Sequence, residues 1–431
     1  MFNDASTQNQ ELELTKLSKE QEEIIQEIEN SSNNFFITGK AGTGKSTLLQ
    51  GLKQLTIKKF IVAAPTGVAA MNVGGQTIHS LFKLPIKLID PSEIKINKST
   101  IKLLANVELL IIDEASMIRA DILDAIDHIL QEARDSQLPF GGLQLVMFGD
   151  LYQLPPIIND RELSQYFKDK YDSHYFFNAH VWRASTLKVR ELQTIFRQED
   201  KYFQEMLNSL RIRSFDSSLL NSLNERVLDK PEGESIITLA LTNKTVNEIN
   251  QEKLAKIDSE TFEYHADIDG HMEESAYPTE EVLELKLGAQ VMFLKNDREK
   301  RWVNGSIGEV EYLSDDFIEV KINGESHEVK KEKWDKIKYS YNETTKKIKE
   351  EITSSFTQYP LRLAWAITVH KSQGQTLDKV VFDIERGAFA HGQTYVALSR
   401  CSSLEGLYLK RPIRARDIIV DPIVTQFMRS I

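Results

Sequence analysis

Hydrophobic positions follow two rhythms along the chain. Over residues 11–28, Leu14, Leu17, Ile24, Ile25 and Ile28 recur at helical spacing among charges, which predicts an amphipathic helix. Short unbroken apolar runs come next, at 35–37, 61–64, 109–112 and 143–148, with helix-like stretches such as 46–55 between them. Unbroken runs are the mark of strands buried on both faces, so this rhythm predicts a parallel sheet covered by helices on each side. From 287 to 331 the segments become short and alternating, at 290–294, 306–312, 317–322 and 327–329. Asn323-Gly324 joins two of them, and both residues tolerate positive φ, so a tight hairpin is expected there. Runs at 362–369, 380–384 and 395–398 then restore the first rhythm. The pattern as a whole predicts two α/β units, the second interrupted by a small β-barrel.

At 431 residues the chain exceeds one ordinary core and suits two to four compact units. No apolar run approaches the roughly 18 residues of a membrane span, and the polar, acidic first dozen residues carry no secretory pattern. Cys401 is the sole cysteine, which excludes intramolecular disulfides and a cysteine-built zinc site. A reducing, intracellular setting is expected: cytoplasm or nucleoid in a bacterium, with no visible segment addressing a nucleus or mitochondrion. A net charge of −11 argues at first against a nucleic-acid partner. The distribution changes that view. Residues 1–30 carry a net −6 and residues 258–284 a net −10, leaving about +5 on the rest. A mildly basic body could follow a phosphate backbone, but charge alone leaves the question open.

Chemistry enters at Gly39-Lys40-Ala41-Gly42-Thr43-Gly44-Lys45-Ser46, a phosphate-binding loop between a predicted strand and a predicted helix. Its glycines let backbone N–H groups converge on phosphates at a helix N-terminus. Lys45 would neutralise the β- and γ-phosphates, and Ser46 would ligate Mg²⁺. The apolar run at 109–112 ends in Asp113-Glu114, with Asp113 placed for the metal's water shell and Glu114 to polarise the attacking water. Gln153, in Gly149-Asp150-Leu151-Tyr152-Gln153-Leu154-Pro155-Pro156, could sit beside the terminal phosphate. Arg197 and Arg400 are candidate arginine fingers.

The order of these segments resembles a superfamily-one DNA helicase of the Pif-type (Pif-one) branch, related to RecD, from Leu17 to Arg400. Leu17-Ser18-Lys19-Glu20-Gln21 resembles the adenine-reading motif. Ala64-Pro65-Thr66-Gly67 and Thr77-Ile78-His79-Ser80 resemble the first DNA-contacting segments. Residues 364–374 look like motif V and 393–400 like motif VI. Residues 116–136 are similar to the signature that this branch carries between motifs II and III.

The resemblance implies two RecA-like parallel-sheet domains, a small wedge insertion in the first and an SH3-like β-barrel insertion in the second. The expected boundaries are 1–195 for the first domain with the wedge at about 71–103, and 196–257 for the first part of the second. An acidic segment plus β insertion is expected over 258–349, and the rest of the second domain over 350–431. Nucleotide contacts would come from Gln21, Gly39, Ala41, Gly42, Thr43, Gly44, Lys45, Ser46, Thr47, Gln373 and Gly374, with Gln153, Arg197 and Arg400 at the γ-phosphate. Ser46 and Asp113 would serve the metal. Pro65, Thr66, Gly67, His79, Thr242, Asn243, Thr368, His370 and Lys371 would contact DNA, although His79 and His370 also suit core positions. Lys295, Asn296 and Asn304 are weaker candidates, and Phe82 and Trp302 could stack on bases.

The implied activity is ATP- and Mg²⁺-dependent 5′-to-3′ translocation of a monomer on single-stranded DNA, with no membrane partner. Its substrates would be forked or tailed duplex, with G-quadruplex and RNA–DNA hybrid as further candidates, in repair, recombination, replication or telomere maintenance. The alternative is a single-stranded-DNA-stimulated ATPase that remodels protein–DNA complexes with little unwinding.

Overall fold

The computed structural model describes residues 16–431 except 86, 91–93, 95, 159–160, 199, 229–235, 316 and 343–346. The first helix, Lys19–Glu29, starts where Ser18 and Gln21 form a reciprocal capping box. The expected turns at 11–15 lie outside the described residues. The first domain is built on six parallel strands in the order Gln76–Thr77, Phe60–Ala64, Leu109–Ile112, Gln144–Phe148, Asn34–Gly39 and Leu187–Leu192. The four inner strands are almost wholly buried, as their unbroken apolar runs require. One of them ends on Gly39 and two run straight into Asp113 and Gly149, so the chemistry gathers at one edge of the sheet.

The second domain has four parallel strands in the order Ala366–Thr368, Ile237–Ala240, Val380–Asp383 and Leu407–Leu409. The predicted β insertion is a five-stranded antiparallel sheet with its own core, which includes Val291, Phe293, Val310, Ile318, Val320 and Leu361. Its hairpin turns on Asn323 at φ 50° and Gly324 at φ 90°, as that pair dictates.

Two expected boundaries move. The insertion ends in the strand Leu361–Leu363, and a long hairpin, Glu332–Asn342 with Lys347–Gln358, belongs to it. A boundary at 349/350 would cut that hairpin. The arm reaches back to the first domain, where Tyr339 N donates to Gln76 Oε1 at 3.1 Å and Val62 N to Tyr339 Oη at 3.4 Å. The wedge narrows as well. Residues 71–82 complete a helix (Gly67–Val73), add the edge strand Gln76–Thr77 and form the helix Ile78–Phe82, so any excursion from the sheet starts only after Phe82. The signature helix Ala120–Arg134 anchors the segment that follows. Asp121 pairs with Arg119 at 2.7 Å and accepts from Ile89 N at 3.0 Å, while Arg119 donates to Lys87 O at 3.0 Å.

The domains also meet through the C-terminal helix Pro422–Ser430. Phe427 stacks on Phe177 with centroids 4.1 Å apart, and Tyr175 Oη donates to Asp421 at 2.9 Å.

Candidate nucleotide cleft and strand track

The phosphate loop follows its strand into the helix Lys45–Leu55. Gly42 and Gly44 sit at φ 81° and 78°, a region that L side chains avoid. A Cβ on Gly42 would come within 2.5 Å of Arg197 Cβ, so the glycine also admits the neighbouring segment. Lys45 Nζ donates to Gly39 O at 2.7 Å and Lys40 O at 3.0 Å. Burial pushes its ammonium down to about 8, against the raising influence of Asp150. Gln21 is buried, and its Nε2 donates to Gly44 O at 3.0 Å. Ser46 and Thr47 occupy the first turn, with Ser46 exposed.

Asp113 and Glu114 stand where expected, just beyond the strand Leu109–Ile112. Glu114 holds φ 50°, a strained conformation of the kind found at working sites. Burial raises both carboxyl pKa values, and the neighbouring Asp113 charge raises Glu114 further. Gln373 of the second domain donates to Glu114 Oε2 at 2.9 Å and to Gln153 Oε1 at 3.3 Å. The candidate base, the candidate γ-phosphate contact and motif V thus form one chain across the cleft.

Both candidate fingers face the same space. Arg197 donates to Thr376 Oγ1 at 2.8 Å, Ser399 O at 3.2 Å and Gly374 O at 3.3 Å. Arg400 is 1% exposed and donates to Val396 O at 3.0 Å and Ser399 Oγ at 2.9 Å. Burial lowers Arg197 to about 9, with the Arg400 charge adding to it, and lowers Arg400 to about 10. Three cations bonded mainly to neutral acceptors in a poorly solvated cleft make a strong site for a polyanion.

Five residues here were given no role by sequence reasoning. Asp150 is buried and pairs with Arg211 at 3.0 Å, and Arg211 lies 4.4 Å over the Tyr152 ring. Tyr395 and His391 reach the first domain from motif VI and the residues just before it. Phe196 is 56% exposed, and a Cβ on Gly44 would sit 3.5 Å from its ring and 2.7 Å from Gln21 Nε2. Exposure of a large aromatic beside a nucleotide loop was the available signal for Phe196. The others depend on long-range pairing.

The strand-side candidates are less unified. Thr66 caps its helix by accepting from Ala69 N at 3.2 Å, with Pro65 and Gly67 half-buried around it. His79 is half-buried, and burial, then the Arg119 charge, lowers its pKa. Thr242 caps the helix Asn243–Ala255, whose first residue is exposed. Thr368 is buried and accepts from Lys371 N at 3.2 Å, leaving His370 and Lys371 exposed. Gly67 lies against the acidic segment, since a Cβ there would meet Ala276 Cβ at 2.9 Å. Glu280 of that segment is close enough to act on the Lys371 charge. Phe82 at 1% and Trp302 at 7% exposure are core residues, which removes them as base-stacking platforms. Lys295 is engaged by Glu332 at 3.0 Å, and Asn296 Oδ1 accepts from Asn304 N at 2.7 Å, so all three brace the insertion.

A family model for PIF1-like helicases matches residues 16–232. The ATP-dependent DNA helicase Pif1 of Bdellovibrio bacteriovorus is 35% identical over 426 residues, covering 96% of this chain and 92% of that protein. The solved structure of Bacteroides sp. Pif1 in complex with ADP-AlF4 shares 40% identity and a TM-score of 0.90, covering 96% of this chain and 97% of that one. Bacteroides Pif1 bound to ssDNA covers the same shares at 41% identity, with a TM-score of 0.69. Unliganded Bacteroides Pif1 gives 0.89 at the same coverage, so the chain here is nearer to the structures without DNA than to the ssDNA-bound one.

Proposed function

The chain belongs to the PIF1-like helicase family, and from that premise we propose that it is an ATP-dependent DNA helicase that translocates on single-stranded DNA and unwinds duplex. The observation that carries this is the convergence of Lys45 from one domain with Arg197 and Arg400 from the other. Gln373 bridges Glu114 and Gln153 beside them. A passive nucleotide binder needs neither a candidate base nor cations supplied from across the cleft.

The triphosphate would draw Lys45 from the carbonyls of Gly39 and Lys40, and draw the two arginines from their carbonyl partners. Glu114 orients water for attack, and the arginines stabilise the charge that develops. Loss of the γ-phosphate removes those contacts and lets the domains part. Phe196 offers a face to the adenine beside Gln21. Ser46 and Asp113 supply hard oxygen donors that fit Mg²⁺. Among the described residues no cluster of three or more His, Cys, Asp or Glu is arranged for a metal, so phosphate oxygens and water would complete the shell. A Mg²⁺ held there would supply positive charge to offset that of the phosphates.

For the strand, we read Pro65, Thr66, Gly67 and His79 on one domain and Thr242, Asn243, Thr368, His370 and Lys371 on the other as sequence-tolerant contacts. Ala276 lies against Gly67 and Glu280 acts on the Lys371 charge, so a strand that reached both residues would have to displace this part of the acidic segment. The fall in TM-score from 0.90 against the ADP-AlF4 complex to 0.69 against the ssDNA-bound Bacteroides protein fits a different overall arrangement when a strand is held. Polarity from 5′ to 3′, action as a monomer, and use of forked, tailed or G-quadruplex substrates belong to the same reading. No helix among the described residues is long and apolar enough to cross a membrane.

The test is unwinding of duplexes carrying a 5′ or a 3′ single-stranded tail, with Mg²⁺ and ATP. Strand separation of the 5′-tailed duplex alone is expected. Separation of neither, with ATP hydrolysis intact, would leave the remodelling ATPase as the function.

A further inference from the structure

We propose that Tyr395 is a positioning residue for ATP hydrolysis, holding the phosphate loop from the opposite domain through the Ala41 N–H. The inference rests on reading the cleft as an ATPase site and adds a part that motif comparison did not assign.

Ala41 N donates to Tyr395 Oη at 2.8 Å, joining residues 354 positions apart in a buried contact. With one lone pair so engaged, the phenol proton has an acceptor in Asp150 Oδ2 at 3.4 Å. Arg211 at 3.0 Å, Tyr152 N at 3.1 Å and Gln153 Nε2 at 3.3 Å hold the same carboxylate. Against complete burial, Arg211 and Lys45 keep Asp150 below the usual carboxylate range, so it remains an acceptor. Burial and the Asp150 charge push the phenol upward, so the direction of both bonds holds across ordinary pH.

The helix Gln393–Leu398 that carries Tyr395 is pressed onto the loop that carries Gln153. A Cβ on Gly392, at its start, would fall 2.5 Å from Gln153 O and 2.6 Å from Tyr152 O. His391 Nε2 meets Leu151 O at 2.8 Å while its Nδ1 accepts from Asp421 N at 2.8 Å, which selects the neutral ring protonated on Nε2. Arg400 follows two residues beyond the helix end. One short helix therefore presents a finger at its far end and grips the phosphate loop at its near end. The hydroxyl sets the distance between the loop and that finger. Without it, Ala41 N–H loses its acceptor inside the protein and the loop is placed less sharply against Arg400. Chemistry should suffer more than nucleotide binding, because misplacement acts on the transition state.

Tyr395→Phe keeps the ring and removes only the hydroxyl. Steady-state ATP hydrolysis at saturating single-stranded DNA should show kcat reduced on the order of 10-fold, with KM for ATP within about 3-fold of wild type. Added to Arg400→Ala, the same change should cost little further, since both act on one arrangement. A Phe variant within about 2-fold of the wild-type kcat, a loss seen mainly in KM, or a fully additive double variant would overturn the proposal. Lys45→Ala serves as the control: if it still hydrolyses ATP, the cleft is not an ATPase site and both readings fall. If only the Tyr395 expectation fails, the cleft reading stands without it.

Discussion

The candidate nucleotide cleft and the candidate strand contacts both draw on the same two domains, yet they are built differently. In the cleft, side chains from both domains are joined already: Gln373 to Glu114, Tyr395 to Ala41 and Asp150, Arg211 to Asp150. Along the candidate track, Thr66 and Thr242 cap helices, His370 and Lys371 are exposed, and the acidic segment touches Gly67 and acts on the Lys371 charge. Hydrolysis needs atoms held to fractions of an ångström, so its groups come braced by second partners. A strand that slides needs contacts that form and release, and pays for none of that bracing. On the proposed reading, the cleft is a site braced across the domains in advance, and the track a site that a strand must uncover.

The largest effect should come from the cleft. Glu114→Gln and Arg400→Ala are each expected to reduce ATP turnover about 10³-fold, with single-stranded DNA affinity by fluorescence anisotropy within about 3-fold of wild type. Equal losses in both would mean that the two regions are not separable. Arg119→Ala tests the anchor beneath the segment after Phe82. It leaves Asp121 buried without its cation, so urea unfolding should report a loss of about 3–5 kcal/mol. Folded variant should hydrolyse ATP normally but unwind poorly, and unchanged unwinding would remove that segment from the mechanism.

The cover can be tested by charge. Glu273→Gln, Glu274→Gln and Glu280→Gln together should raise single-stranded DNA affinity on the order of 10-fold, while the salt dependence of log Kd keeps its slope because the phosphate contacts are unchanged. Unaltered affinity would show that the segment does not compete with the strand. The smallest effect concerns Lys45. Burial lowers its pKa in the free protein to about 8, and bound phosphate raises it, so ATP binding takes up a proton above that pH. ATP affinity by calorimetry should fall about 4-fold from pH 7 to pH 8.5. A fall at acid pH instead would contradict the sign.

Much of the cleft was legible because its parts are local. A strand, a glycine loop and a helix that follow one another from Asn34 to Leu55 dictate where Lys45 points, and an apolar run ending in Asp113-Glu114 dictates the sheet edge. Tyr395 with Ala41 and Asp150 with Arg211 could not be read that way, since only folding brings them together. The long hairpin escaped for another reason. The register shift leaves Thr353 of its second strand unpaired, and on the first strand Trp334 and Tyr339, five residues apart, are buried in two different cores, so neither strand shows one clean apolar face. The edge strand Gln76–Thr77 is too short to leave a pattern, and that widened the expected wedge. Phe82 and Trp302 show the limit for aromatics: sequence places them near the track, and packing puts them in cores.

The most direct test of a cleft that works when a strand is held is ATP turnover titrated with an unstructured single-stranded oligonucleotide in Mg²⁺ buffer. The account predicts slow hydrolysis without DNA and a rate that rises steeply and saturates as the oligonucleotide binds. A rate that stays the same from no DNA to saturating DNA, in protein shown by anisotropy to bind the strand, would contradict it.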